Sequence, residues 1–264
     1  QTMVILKRKM GNHLVGKLAF FPPDPPQYTG KDVTTFVKTE NGQTIPVLHI
    51  KTKNPRFTLL FSHGNAEDVG VNKSFCEWLA EQLKVDVVTY DYAGYGLSTG
   101  EPSEKNLYAD STAVYNWMKQ TLNLRTDQII LYGKSLGTAP SIDLSTRVQA
   151  MGLVLVSPLA SGARVVFPNM KNGLLDKVFC PSIAKIGKIK IPIHIMHGTQ
   201  DEVIHISNGQ SLFEACRPSH PLPPVWVDGA GHNDIESRYH VVFLKGMRMF
   251  LDHCDELRSL RPIP

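Results

Sequence analysis

A glycine-flanked serine, a loop aspartate and a loop histidine follow one another in this chain, each at the end of an apolar run. The serine lies in Gly133-Lys134-Ser135-Leu136-Gly137, which reads G-x-S-x-G. Gln128-Ile129-Ile130-Leu131-Tyr132 before it predicts a short buried strand, and Thr138 to Arg147 after it predicts a helix. A serine at such a junction occupies a sharp turn that lifts its Oγ clear of the backbone. The flanking glycines fit there because side chains would collide with neighbouring elements. On its own the pattern is weak, since glycine-flanked serines also occur in ordinary loops.

A nucleophilic serine needs a base, and the base needs a group that orients it. Ile191-Pro192-Ile193-His194-Ile195-Met196 predicts a buried parallel strand running into His197-Gly198-Thr199-Gln200-Asp201, which places a carboxylate in the following loop. Val225-Trp226-Val227-Asp228 predicts the last strand, and Gly229-Ala230-Gly231-His232 places an imidazole after it. The order Ser135, Asp201, His232 is that of α/β-hydrolases. In open parallel sheets, reactive groups gather at the carboxyl ends of strands, so all three are expected on one rim. Taken singly, each has a plainer reading. Asp201 can cap a helix beginning near Ile206, and a lone histidine is more often a surface or capping residue. Asp228 is a weaker acid, being too close in sequence to His232, and Asp143 falls inside the helix after Ser135.

Acyl transfer also needs donors for a developing oxyanion. The backbone N–H of Leu136 is one candidate. Phe57-Thr58-Leu59-Leu60-Phe61-Ser62 predicts an earlier strand, and the loop His63-Gly64-Asn65-Ala66 offers the N–H of Asn65, with Gly64 giving the turn its freedom. The side chain of His63 is read as structural, and Asp91 to Ser98 as a brace for the site.

Positioning these loops requires alternating strands and helices. Asp32 to Lys38 and Ile45 to Thr52 predict a hairpin around Asn41-Gly42, a favoured tight turn. A helix near 72–84 carries Phe75, Trp78, Leu79 and Leu83 at helical spacing, which is a core stripe. A strand at 86–91, a helix near 104–121 and a strand at 152–156 complete the alternation. The fold class is therefore α/β with a mostly parallel central sheet flanked by helices. Residues 1–30 form an N-terminal extension and 31–264 one domain. Residues 158–190 break the alternation and form a short insertion over the rim. Its Val165, Val166, Phe167 and Phe179, with Leu174, Leu175 and Val178, either wall a groove for an acyl chain or belong to a plain connecting helix.

Composition excludes other classes. The chain has 264 residues, enough to bury a large core. No run of eighteen apolar residues suggests a membrane span, and the basic start (Lys7, Arg8, Lys9) lacks the apolar core of a secretory signal. Cys76, Cys180, Cys216 and Cys254 are scattered, which favours a reducing, cytoplasmic setting over disulfides or a zinc site. The ten histidines show no H-E-x-x-H spacing, and no metal or cofactor is expected. The net charge of +4 is mild, without an aromatic-basic stripe, so nucleic acid is a poor partner. A monomer is expected.

The segments FSHGNAED, YDYAGYG, NLYAD, LYGKSLGTAP, SPLASGARVVFP, HGTQDEVI and GAGHNDIE, in this order, resemble the α/β-hydrolase domain-containing 17 family of protein depalmitoylases. The likeness runs from about Lys17 to Glu236, and GHNDIE and SPLASGARVVFP carry more of it than the serine motif does. It implies the α/β-hydrolase fold and cleavage of palmitoyl thioesters on membrane-bound proteins. It also implies Ser135 as nucleophile, Asp201 as acid and His232 as base. The family's N-terminal cysteine cluster, itself palmitoylated, has no counterpart here. Lys134 and Leu136 stand where glutamine and isoleucine are usual. Met10 to Val15 would resemble a myristoylation start, but Val15 lacks the required hydroxyl.

The function read from the sequence is therefore a serine thioesterase acting on S-acylated proteins at the cytosolic face of membranes. Lys185, Lys188 and Lys190 would face anionic headgroups or form a solvated basic face. A small-molecule carboxylesterase or monoacylglycerol-type lipase is the alternative. A non-catalytic binding module is the third class, and three intact residues in order weigh against it.

Overall fold

The computed structural model describes residues 19–168, 174–177, 179–216 and 222–260. Residues 1–18, with the basic start and Met10 to Val15, and Val178 lie outside the described residues. The elements alternate as expected: β1 (Thr35–Lys38), β2 (Thr44–Ile50), β3 (Thr58–Ser62), α1 (Val69–Leu83), β4 (Asp86–Tyr90), α2 (Glu104–Gln120) and β5 (Ile129–Lys134). There follow α3 (Thr138–Ser145), β6 (Gly152–Val156), α4 (Gly162–Val166), α5 (Ser182–Lys185), β7 (Ile193–Gly198), α6 (Ser207–Ala215), β8 (Val225–Val227) and α7 (His240–Ser259).

The strands form one eight-stranded sheet in the order β1-β2-β4-β3-β5-β6-β7-β8. β2 pairs antiparallel with both β1 and β4, and every pairing from β4 to β8 is parallel. Sequence alternation assigns each strand's side chains to opposite faces. In β5, Ile129 and Leu131 enter one core while Ile130 and Tyr132 enter the other. In β6, Leu153 and Leu155 part from Val154 and Val156 in the same way. Because both faces are covered, the strands read as continuous apolar runs.

The chain passes from β3 to β4 on one side, then crosses back to β5 on the other. The carboxyl ends of β3 and β5 therefore meet at a switch point, where α/β sheets form ligand crevices. The loop after β3 and the turn after β5 are the two that should supply oxyanion donors.

Two expectations change in detail. The hairpin connection spans residues 39–43, with Gly42 N donating to Thr39 O and Gly42 at φ 80°, so the glycine closes a wider loop instead of a two-residue turn. Helix α7, absent from the reading above, lays Phe243, Met247, Phe250 and Leu251 against the sheet. The described part of the N-terminal segment packs into the domain. Phe20 is buried in the core, and the Tyr28 hydroxyl donates to Asp91 Oδ2.

One buried group makes stability sensitive to acid. His194 on β7 stacks on Phe250 at 5.7 Å, and neither ring nitrogen has a hydrogen-bond partner among the described residues. Burial pushes its pKa down to about 4. The unfolded chain takes up this proton near pH 6.5 and the fold does not. The contribution is thus complete above pH 6.5 and is lost as pH falls toward about 4. Asp110 acts in the opposite sense, because burial raises its carboxyl to about 7 against one hydrogen bond from the Ala93 N–H. The histidine contribution is therefore read as a difference between variants. On going from pH 7 to pH 5, the wild type should lose about 2 kcal/mol more than His194→Leu in urea unfolding. Parallel stability curves for the two proteins would refute this assignment.

Candidate active site

Ser135 sits at φ 51° between β5 and α3, a left-handed conformation that a non-glycine residue adopts at a cost. Its neighbours explain why the turn must be so tight. A Cβ on Gly133 would lie 2.6 Å from Gly137 O, and one on Gly137 would lie 2.0 Å from Ser62 O. The turn is thus pressed against the end of β3, and only glycine fits at both positions.

The three candidate residues come together. His232 Nε2 lies 3.0 Å from Ser135 Oγ, and His232 Nδ1 lies 2.8 Å from Asp201 Oδ2. All three are buried. An ionised carboxylate only accepts, so Nδ1 carries the proton and donates it. Nε2 then presents its lone pair to the serine hydroxyl, which donates. Asp228, the weaker candidate acid, accepts from Thr199 Oγ1 on an exposed loop. Asp143 pairs with Arg147 and Lys185.

Asp201 is held from two sides. Its Oδ1 accepts from Val203 N at 3.0 Å and Ile204 N at 2.7 Å, a local turn that fixes the carboxylate. Its Oδ2 also lies 3.2 Å from His197 Nε2, which donates to Ile204 O at 2.7 Å. Burial works against the charge, but the hydrogen bonds from His197 and His232 outweigh it and hold the carboxyl far below the usual range. Sequence reasoning missed His197. β7 runs two residues beyond the expected end, which turns this histidine inward beside the acid. The acid and base loops pack closely. Gln200 N donates to Ala230 O at 3.0 Å, and a Cβ on Gly198 would lie 2.2 Å from Ala230 O.

The loop after β3 has a different internal logic from the one expected. Gly64 does not adopt a left-handed φ; its N–H donates to Glu67 Oε2 at 2.9 Å, and the Glu67 carboxyl approaches to 3.1 Å of where a Cβ would be. The glycine eases this close approach and is not there for a left-handed φ. The Asn65 side chain is anchored by three hydrogen bonds. Its Oδ1 accepts from Tyr95 OH at 2.6 Å and Phe21 N at 3.0 Å, and its Nδ2 donates to Ala19 O at 3.0 Å. The backbone N–H of Asn65 is the candidate oxyanion donor from this loop, alongside that of Leu136. His63 is buried between the Tyr92 and Tyr95 rings, with Nε2 3.3 Å from Asp91 Oδ1. Asp91 also accepts from Val69 N, so the segment after β4 braces the loop.

The insertion splits the four apolar residues assigned to an acyl groove. Phe179 is buried in the core, edge-on to Phe20 at 5.7 Å, and Val165 is partly buried against the same cluster. Phe179 presents no open surface, and Val165 only part of one. Val166 and Phe167 are 59% and 52% exposed. The reason is the short helix α4, whose inner side is fixed by a buried bidentate pair between Arg164 and Asp176 at 2.9 Å. Ser161 Oγ, which also accepts from Arg164 N, donates to that Asp176 carboxylate at 2.6 Å. Pro168 O accepts from Ser207 Oγ at 3.1 Å, which ties the same segment to α6. Lys185 does not face outward: its ammonium bonds Asp143 at 2.7 Å and lies over the Tyr108 ring. Lys188 and Lys190 are exposed.

A family model described as serine aminopeptidase, S33, matches residues 53–182. Alpha/beta hydrolase domain-containing protein 17B of Homo sapiens is 41% identical over 250 residues, covering 84% of this chain and 86% of that protein. The chain belongs to the alpha/beta hydrolase domain-containing 17 family. Alpha/beta hydrolase domain-containing protein aho-3 of Caenorhabditis elegans is 42% identical, covering 95% of this chain and 81% of that one. Among solved structures, the esterase Pf2001 of Pyrococcus furiosus superposes with a TM-score of 0.71 at 19% identity, covering 88% of this chain and 98% of its own. Mouse alpha/beta hydrolase domain-containing protein 10 does so with a TM-score of 0.65 at 14% identity, covering 83% of this chain and 98% of its own. The chain has the α/β-hydrolase fold and is a serine hydrolase of this family.

Proposed function

We propose that this member of the family cleaves long-chain acyl thioesters from cysteines of membrane-associated proteins, with Ser135, His232 and Asp201 as its catalytic triad. The observation that carries the reading is the continuous hydrogen-bonded chain from Ser135 Oγ through His232 to Asp201. His232 takes the serine proton as Oγ attacks the acyl carbonyl. The backbone N–H groups of Leu136 and Asn65 hold the oxyanion. His232 returns the proton to the departing cysteine sulfur, then activates the water that releases the fatty acid.

The family resemblance supports the thioester class. Support for a long chain comes from Val166 and Phe167, two exposed apolar side chains on the rim where the strands end. The insertion that bears them is short, which suits a substrate cysteine carried on another protein. Among the described residues no helix is long and apolar enough to cross a membrane. Each methylene taken from water is worth about 0.8 kcal/mol, so lengthening an acyl chain from eight to sixteen carbons offers on the order of 6 kcal/mol at most. A surface groove realises only part of that.

The test is kcat/KM across acyl thioesters of rising length, each below its micelle concentration. Efficiency should rise toward sixteen carbons, and Phe167→Asp should flatten that rise by about tenfold at the long end without changing short-chain turnover. A maximum at two to four carbons would replace this reading with that of a small-molecule carboxylesterase.

A further inference from the structure

Behind the nucleophile lies a buried charge cluster that the chemistry above does not use. Lys134, the last residue of β5, sends its ammonium 2.7 Å from Glu67 Oε1 and 3.3 Å from Glu236 Oε2. The three side chains are 13%, 17% and 8% exposed. Each carboxylate has a second duty. Glu67 Oε2 accepts the Gly64 N–H, in the loop that offers Asn65 as oxyanion donor. Glu236 Oε1 accepts the Tyr132 hydroxyl, two residues before Lys134, and follows His232 by four residues. One ammonium thereby joins the nucleophile turn to the loops on both sides of it.

We propose that Lys134 is a positioning residue for acyl transfer: by holding Glu67 it sets the Gly64-Asn65 backbone at the height of the oxyanion, beside the Ser135 turn whose backbone it shares. The inference rests on Ser135 being the nucleophile. The physical case is one of rigidity. Loop 63–66 and the turn at 133–137 come from different strands, and hydrogen-bond donors stabilise an oxyanion only if they are fixed before it forms. The backbone packing of Gly137 on Ser62 O fixes their separation. It does not set the orientation of the Gly64 backbone, whose N–H donates to Glu67 and whose carbonyl accepts from His63 Nδ1 at 2.8 Å. The Glu67 carboxylate holds the His63-Gly64 peptide through that N–H, one peptide before the Asn65 N–H, and without a cation the carboxylate would move toward water. Burial opposes charge on Glu67, yet Lys134 keeps its carboxyl ionised and below the ordinary range, so the acceptor is permanent at neutral pH.

The rival role is purely structural, in which the cluster only holds the fold together. The two roles differ in what they change per folded molecule. The test uses the full chain, p-nitrophenyl butyrate as substrate and butylboronic acid as a probe, because its tetrahedral adduct with serine carries an oxyanion-like oxygen. Lys134→Met should lower kcat by about 10²-fold, shift KM by no more than about threefold, and weaken the boronate by about the same 10²-fold. Lys134→Arg should restore kcat to within about tenfold, since it can bridge both carboxylates. Glu67→Gln keeps the side-chain size and should also weaken the boronate, which carries the test if Lys134→Met does not fold. A folded variant of either kind with wild-type boronate affinity and only a lowered Tm overturns the proposal. Failure of both to fold also overturns it and assigns the cluster to stability. If the wild type itself neither binds the boronate nor is labelled at Ser135, the nucleophile assignment fails instead.

Discussion

Replacing Ser135 by alanine will abolish covalent labelling by a fluorophosphonate and lower kcat by about 10⁶-fold, leaving the residual rate of a site that only binds and polarises. The protein will remain folded. Alanine keeps the Cβ, so the backbone at φ 51° is neither relieved nor further strained. The hydroxyl meets His232 within the site, so its loss strands no distant partner. Near-unchanged Tm together with lost labelling is therefore the expected pair of results. His232→Ala should fall almost as far, because the nucleophile and base act as one unit and their effects do not add. Labelling that persists in Ser135→Ala, mapped by mass spectrometry to another serine, would move the nucleophile elsewhere.

Asp201→Asn should lower kcat on oxygen esters by roughly 10⁴-fold, and the reason lies in the hydrogen bonds around it. The carboxylate accepts from Val203 N and Ile204 N on one oxygen, and from His232 Nδ1, with His197 close by, on the other. An amide has one oxygen. That oxygen must stay with the two backbone donors, so the NH₂ group turns toward His232. Nδ1 must then accept, the ring proton moves to Nε2, and the base meets Ser135 with a hydrogen where a lone pair is needed. Thioesters should suffer less, by about tenfold, because a thiolate with a pKa near 8.5 leaves without full protonation. Measuring kcat on an oxygen ester and a thioester with the same acyl group checks both statements. Near-full activity in Asp201→Asn would reject Asp201 and bring Asp228 forward. An equal loss on both substrates would keep the acid but reject leaving-group protonation as the step it supports.

The strand-to-helix serine, the order of acid and base, and the parallel sheet were all legible in the residues alone. They depend on local signals: apolar runs of strand length, glycines at 133 and 137 that a sharp turn demands, and loops that must follow strands. Those signals act over a few residues and leave the chain little choice. What the tertiary structure decided involves partners far apart in sequence. Lys134 meets Glu67 and Glu236 only because β5 lies beside β3 and the base loop returns to the same rim. The Asn65 side chain holds Ala19 and Phe21 across more than 40 positions, and no local pattern marks that contact. The insertion shows the same limit. Val165, Val166, Phe167 and Phe179 are equally apolar as letters, yet the buried Arg164–Asp176 pair turns one side of α4 inward and leaves Val166 and Phe167 in solvent. Apolar character says that a residue gains by leaving water. Which surface it leaves water against is set by the order of the strands and the few buried charges that pin the loops between them.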